Sequence, residues 1–352
     1  MKLILANPRG FCAGVYMAID VVNRLLEVCE GEPIYVYHEI VHNRHVVERF
    51  RLWGVTFVDD LAEVPEGSIV VFSAHGVSPQ IRRQADQRRL RVVDASCPLV
   101  MKVHAEAIRY AKKGYQILLI GHPDHQEVIG TRGEAPEAIQ VVESVQDIPS
   151  LRIKDPGKLV YLTQTTLSLV DAQRIVAALK RQFPGIKDPP SEDICYATTN
   201  RQSAVRALAP GCDLVLVVGS KNSSNSQRLR EIAQATGTRA ELIDDMSELK
   251  AEWFEKVKSI LITAGASAPE DLVQDLIFKL IEDCGGEVEL SDVHRETTEF
   301  GLPGTLKEFM RRRGVDPEVH SVQMDSNAAM MAWLDFHGIP HRHVDLTVGE
   351  SQ

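Results

Sequence analysis

The sequence predicts an α/β protein of three related lobes around a shared centre, followed by a smaller C-terminal appendage. Three observations carry that prediction. Short β-branched strands alternate with helical stretches, which implies parallel sheets covered by helices. Cysteines recur in matching punctuation, with 85 residues from Cys12 to Cys97 and 98 from Cys97 to Cys195. Polar strand-end loops recur at similar offsets, His42 lying 83 residues before His125 and His75 lying 90 before Thr165. A repeat this long is no solenoid unit. The lobes are expected over residues 1–97, 98–193 and 194–285, with 286–352 as a C-terminal segment and appendage.

Taken in order, Leu3-Ile4-Leu5-Ala6 reads as a short buried strand that Pro8 and Gly10 break, and a helical pattern runs from Val15 to about Cys29. Apolar, β-branched runs predict strands at 34–37, 69–72, 92–93, 117–120, 159–162, 214–218 and 260–262. Helical spacing covers 101–112, 169–182, 226–236 and 272–284. Beyond about Phe300 the character changes, with a basic patch at Arg311-Arg312-Arg313 and a strand–helix–strand pattern at 319–324, 327–337 and 343–347. Its late part faintly resembles glutaredoxin-type sequences, but it holds no cysteine and we assign it no redox role. His337, His341 and His343 lie on a polar tail, where histidines are more often solvated than metal-bound.

At 352 residues the chain is long for one core, and two or three domains of about 100–150 residues are expected. A hydrophobic fraction of 44% and a charged fraction of 25% suit a soluble enzyme. The net charge of −10 argues against a nucleic-acid backbone binder but leaves room for a small anionic substrate at a local site. No apolar run approaches the 18 or so residues of a membrane span, and the amino terminus lacks a signal-peptide core, so the expected location is cytoplasmic. Six dispersed cysteines are unlike a secreted disulfide framework and should be free, catalytic or metal-bound.

Cys12 stands at the end of a strand and the start of a helix, where α/β folds put ligands. Free N–H groups and the helix dipole there favour the thiolate. Cys97 and Cys195 stand in similar punctuation, while Cys29, Cys212 and Cys284 have no repeat-related polar loop and read as structural. No Cys-x-x-Cys pair suggests zinc, and one nucleophile would leave two of the three thiols unexplained. A [4Fe–4S] cluster on three ligands would leave one iron open for chemistry. From spacing alone, that cluster and buried structural thiols both stay open.

His38-Glu39-Ile40-Val41-His42 matches the zinc-protease pattern letter for letter. That chemistry needs both histidines on one helix face. Here the pattern continues a strand run, in which positions four apart are about 13 Å distant. Ser223, Ser224 and Asn225 precede a helix and, with Ser267 and the strand-end histidines, look like an anion cradle. Capping alone would need only one of them. Histidines would supply the positive character these loops otherwise lack. Glu127 follows His125 by two positions in the same loop, and in a closed pocket its raised pKa would suit a proton donor.

Together these stretches resemble the 4-hydroxy-3-methylbut-2-enyl diphosphate reductase family, the last enzyme of the non-mevalonate isoprenoid pathway. The likeness runs from Met1 to about Leu302. Its motifs are long: Ala-Asn-Pro-Arg-Gly-Phe-Cys-Ala-Gly-Val at Cys12, Phe-Ser-Ala-His-Gly-Val-Ser at His75 and Asp-Ala-Ser-Cys-Pro-Leu-Val at Cys97. Thr-Gln-Thr-Thr-Leu-Ser, Asp-Ile-Cys-Tyr-Ala-Thr-Thr-Asn-Arg-Gln and Val-Val-Gly-Ser-Lys-Asn-Ser-Ser-Asn-Ser complete the set.

The resemblance implies a trefoil of three α/β lobes around one [4Fe–4S] cluster per chain, with Cys12, Cys97 and Cys195 as ligands. It further implies that His42, His75, His125, Thr165, Ser223, Ser224, Asn225 and Ser267 bind the diphosphate, that Glu127 donates protons, and that ferredoxin or flavodoxin supplies electrons. One departure stands out: Gln126 replaces the proline usual in the family loop, so that loop should be more mobile. Two rival classes remain at this stage. One is a lyase that dehydrates a hydroxy acid at an open iron without consuming electrons. The other is a non-catalytic iron–sulfur or zinc protein such as a sensor.

Overall fold

Three separate parallel sheets organise the described residues, 1–317 and 326–347, of the computed structural model. The chain opens with β1 (Lys2–Asn7) and α1 (Ala13–Val28), then β2 (Ile34–Tyr37), α2 (Arg44–Leu52), β3 (Thr56–Val58), β4 (Ile69–Phe72), α3 (Pro79–Gln87) and β5 (Arg91–Asp94). The first sheet runs β3-β2-β4-β5 with every pairing parallel. Met17, Ala18, Val21, Val22 and Leu25 form the buried stripe of α1, at the spacing a helix face requires. Asn43 caps α2 by accepting the Val46 N–H, and Ser78 followed by Pro79 starts α3.

The opening strand is not in this sheet. β1 pairs parallel with two strands from the other end of the chain, so the lobe expected over 1–97 loses its first element. Its side chains explain why. Leu3, Leu5 and Ala6 are fully buried and Ile4 nearly so, apolar on both faces, and only a central strand covered on both sides buries both.

The middle stretch contributes α4 (Pro98–Lys112), β6 (Gln116–Ile120), α5 (Gln126–Glu134), β7 (Ile139–Val142), β8 (Leu159–Thr163) and α6 (Leu169–Gln182), with strands in the order β7-β6-β8. The stretch carrying Glu127, expected as a loop, is helix α5. Gly130 and Gly133 disguise it, being poor helix formers. They serve close packing: a methyl at Gly133 would overlap Ser78 of the α3 cap, and one at Gly130 would meet the His104 ring of α4 at 3.3 Å. Gln126 opens this helix.

The third sheet takes β9 (Leu214–Val218), β10 (Arg239–Ile243), β11 (Ser259–Ala264), β12 (Glu287–Asp292) and a final β13 (His341–Asp345), in the order β10-β9-β11-β1-β12-β13. Helices α7 (Tyr196–Leu208), α8 (Ser224–Ala235), α9 (Glu270–Cys284), α10 (Gly304–Arg312) and α11 (Ser326–Phe336) complete the set. The C-terminal segment expected over 286–352 is therefore divided between two cores. β12 and β13 extend the third sheet, while Leu306 and Met310 of α10 pack with Ile34 and Phe50 of the first. The strand expected at 319–324 lies outside the described residues. Among them, no helix is long and apolar enough to cross a membrane.

Candidate active site

The carboxyl ends of strands from all three sheets converge on one cavity of about 100 Å³. That is room for a small ligand rather than for one water. All twelve residues singled out from sequence line it: Cys12, His42, His75, Cys97, His125, Glu127, Thr165, Cys195, Ser223, Ser224, Asn225 and Ser267. Each follows a strand end or opens a helix, where backbone N–H groups are free to meet a ligand.

The three thiols occupy equivalent positions. Cys12, Cys97 and Cys195 are the N-cap residues of α1, α4 and α7. Backbone bonds fix them: the Cys12 N–H donates to Ala266 O, that of Cys97 to Ala74 O and that of Cys195 to Thr165 O, at 3.2, 2.9 and 3.1 Å. Gly14, in the first turn of α1, makes way for Cys97, since a methyl there would sit 2.6 Å from its sulfur.

The helix dipole does not carry the argument made for it from sequence. Burial pushes Cys97 up to about 12 and Cys195 up to about 11, the thiols raising one another, and it raises Cys12 despite the nearby Arg201 guanidinium. Desolvated sulfurs lose their protons more readily to a bound cation than to water. Among the described residues, no group of three His, Cys, Asp or Glu could hold a single metal ion. A soft, three-thiol donor set spread around a cavity suits a centre of several metal atoms. Of the remaining cysteines, Cys29 is buried and Cys284 is exposed at the end of α9.

Opposite the thiols stand three imidazoles. His42 stacks on His75 with ring centroids 4.0 Å apart, and His125 meets them edge-on at 5.3 and 5.9 Å. His38, the other half of the zinc-protease pattern, turns away at a positive φ of 59° and bonds Asp59. Residues 38–43 form a loop, so that pattern has no helix to act on.

Two of these histidines, His75 and His125, do not bring positive charge to the cavity. Burial and mutual proximity hold His125 down to about 3 and His75 well below the ordinary histidine range. Nδ1 of His125 accepts the Glu127 N–H, so its proton sits on Nε2. Nδ1 of His42 faces Glu39 at 3.0 Å, leaving Nε2 an acceptor while the ring is neutral.

Glu127 is 3% exposed, in the first turn of α5. It accepts the Thr165 N–H at 2.7 Å and the Thr165 O–H at 3.0 Å. Burial nevertheless pushes its carboxyl up to about 7, outweighing both bonds, with the Asp193 charge adding to the rise. The carboxyl is poised to hold or release a proton near neutral pH.

The third sheet brings the polar cradle. Ser223 caps α8 by accepting the Ser226 N–H, and Ser224 Oγ donates to Thr166 O. Ser267 Oγ donates to His42 O at 2.8 Å, tying the third sheet to the first. Asn225 differs from them. It is 4% exposed, and among the described residues neither atom of its amide has a hydrogen-bond partner. Buried amides are normally satisfied, so this one awaits a polar ligand.

Several contributors escaped sequence reasoning. Thr198, three residues after Cys195, places its N–H and hydroxyl 3.4 and 3.2 Å from the Cys195 sulfur. A hydroxyl residue in the first turn after a capping cysteine was the available signal. Buried Arg201 donates to Gly10 O and to Glu296, bracing the Cys12 loop from α7. The 95 residues between Arg201 and Glu296 left no local signal.

Comparison with known proteins adds an independent line. A family model described as LytB protein matches residues 3–281. A 4-hydroxy-3-methylbut-2-enyl diphosphate reductase of Rhodopirellula baltica is 54% identical over 309 residues, covering 88% of this chain and 97% of that one. The reductase of the same name from Hahella chejuensis is 54% identical over 312 residues, covering 87% and 98%. Among solved structures, the E-1-hydroxy-2-methyl-but-2-enyl-4-diphosphate reductase from Plasmodium falciparum superposes with a TM-score of 0.86. It is 41% identical, over 89% of this chain and 99% of that one.

Proposed function

The chain belongs to the LytB protein family, and from that premise we propose that it reduces (E)-4-hydroxy-3-methylbut-2-enyl diphosphate to isopentenyl and dimethylallyl diphosphate. Cys12, Cys97 and Cys195 would hold one [4Fe–4S] cluster at the meeting point of three pseudo-repeated lobes in a trefoil. Ferredoxin or flavodoxin would supply the electrons. When bound, the cluster brings a Lewis-acidic iron with an open coordination position and a route for electrons. Three part-buried thiols gathered on one cavity, with no single-ion site among the described residues, fit such a group.

The observation that carries the reading is Asn225, a buried amide without a partner among the described residues, on the wall of a cavity that also holds three imidazoles and a protonatable carboxyl. The diphosphate is anchored by Asn225, by the hydroxyls of Ser223, Ser224 and Ser267, and by His42, His75 and His125. Holding that end fixes the allylic end against the thiols. The reaction adds two electrons and two protons and releases the hydroxyl as water. Glu127 holds a proton at its carboxyl, oriented by Thr165, delivers it for water loss and, after taking up a second proton from solvent, supplies that one to the allyl system. Protonation at either end of the allyl system gives the two products.

The test is anaerobic turnover of the allylic hydroxy-diphosphate with a chemical reductant, comparing wild type with Cys12→Ser. Reductant-dependent turnover, lost together with iron in the variant, supports the reading. Conversion without reductant would make the protein a lyase, and a loaded but inert protein would make it a sensor.

A further inference from the structure

The C-terminal addition reaches the loop that carries Cys12. The family match ends at residue 281 and the relatives cover 87 or 88% of this chain, yet β13 joins the third sheet and α11 packs into its core through Met330 and Leu334. β13 pairs with β12 from Val288 opposite His341 to Asp292 opposite Asp345.

Two of the added side chains enter a buried polar network. Asn327, on α11 and 1% exposed, accepts from Arg9 Nη1 at 2.6 Å and donates from its amide nitrogen to Asp292 Oδ1. His343, on β13, lies 2.9 Å from Asp292 Oδ2. Asp292 Oδ1 also accepts from Asn7 Nδ2 at 2.8 Å. Arg9 is fully buried, and its other donors reach Glu270 and Ala6 O. Thus Asn7 and Arg9, which flank Pro8 just before Cys12, are gripped by side chains more than 280 residues later.

A buried guanidinium is placed by its partners, because leaving one of its donors unmet costs more than the bond itself gains. Arg9 stands three residues before Cys12, and the backbone between them is also held at Gly10 and Cys12, by Ala264 O, Arg201 and Ala266 O. We propose that Asn327, backed by His343 through Asp292, is a positioning residue for Cys12, so that the C-terminal addition is part of the site's framework. This rests on the assignment of Cys12 to the site, but its test needs neither metal nor substrate.

The experiment uses the metal-free full-length chain and follows alkylation of each cysteine by iodoacetamide, resolved by mass spectrometry. Asn327→Ala should speed Cys12 alkylation about tenfold, the opening that about 1.4 kcal/mol of lost hydrogen bonding gives, while Cys97 and Cys195 stay near wild-type rates. His343→Ala removes a half-exposed partner and should give a smaller rise, about threefold, at the same residue. Equal acceleration of all three thiols, or of none, would overturn the proposal. Where Asn327→Ala does not accumulate as folded protein, His343→Ala decides by the same criterion. Loss of reductase activity elsewhere leaves these rates untouched, so the two readings fail separately.

Discussion

Replacing Glu127 by glutamine separates what this carboxyl costs the fold from what it does for the reaction. Its pKa stands at about 7 in the folded protein against an ordinary 4.5. At about 1.36 kcal/mol per unit, keeping the group ionised inside the protein costs about 3 kcal/mol. The folded state binds this proton more tightly than the unfolded chain. Wild-type stability therefore falls as pH climbs from about 4.5 to about 7 and is level above that. Glutamine keeps the shape, still accepts the Thr165 N–H and can donate to the Thr165 hydroxyl instead of accepting from it, but has no charge to desolvate. The variant should match wild type near pH 4 and exceed it by up to about 3 kcal/mol at pH 8. Urea unfolding of metal-free protein, followed by tryptophan fluorescence across that range, reads the difference directly. Turnover of the same variant, reconstituted with iron and sulfide, should be nearly abolished with iron content unchanged. A stability difference that does not vary with pH would refute the buried-carboxyl argument, and unchanged turnover would remove Glu127 from the reaction.

Two further outcomes follow from the cavity. Binding of inorganic diphosphate to metal-free protein should take up about one proton or more at pH 7–8, because the anion raises histidines that burial had lowered. Calorimetry in buffers of different ionisation enthalpy counts those protons, affinity should weaken as pH rises, and zero uptake would show that the imidazoles do not meet the anion. Gly14→Ala should push the Cys97 sulfur aside and cut iron content after reconstitution by more than half, at an overpacking cost of about 1–3 kcal/mol. Gly211→Ala, with open space around it, is the matched control, and full iron loading in Gly14→Ala would sink the steric argument.

The legible parts of this protein are those where one local pattern had one cause. Leu214–Val218 is buried along its whole length, and so it reads as an unbroken apolar run. Arg239–Ile243 and Thr56–Val58 lie at sheet edges, one or more of their residues facing water, and that mixed polarity hid them. The α5 helix was hidden for a different reason, because its glycines answer to the neighbours pressed against them and not to helix propensity. Site residues were legible because each sits where a strand stops. Their electrostatics were not. The thiols and imidazoles carry pKa values set by burial among one another, which no spacing reveals. Nor could the chain pattern show Asn327 meeting Arg9 across 318 residues.

The place of β1 in the third sheet has a consequence for biosynthesis. Its neighbours are Ser259–Ala264 and Glu287–Asp292, so β1, made before them, has no sheet to join until Ser259–Ala264 has followed. The first and second sheets can form before that point, but the Cys12 loop cannot close until β11 and Ala266 are made. Metal insertion into such a polypeptide must then wait for β11, and nascent chains stalled short of residue 259 should carry three thiols that never meet.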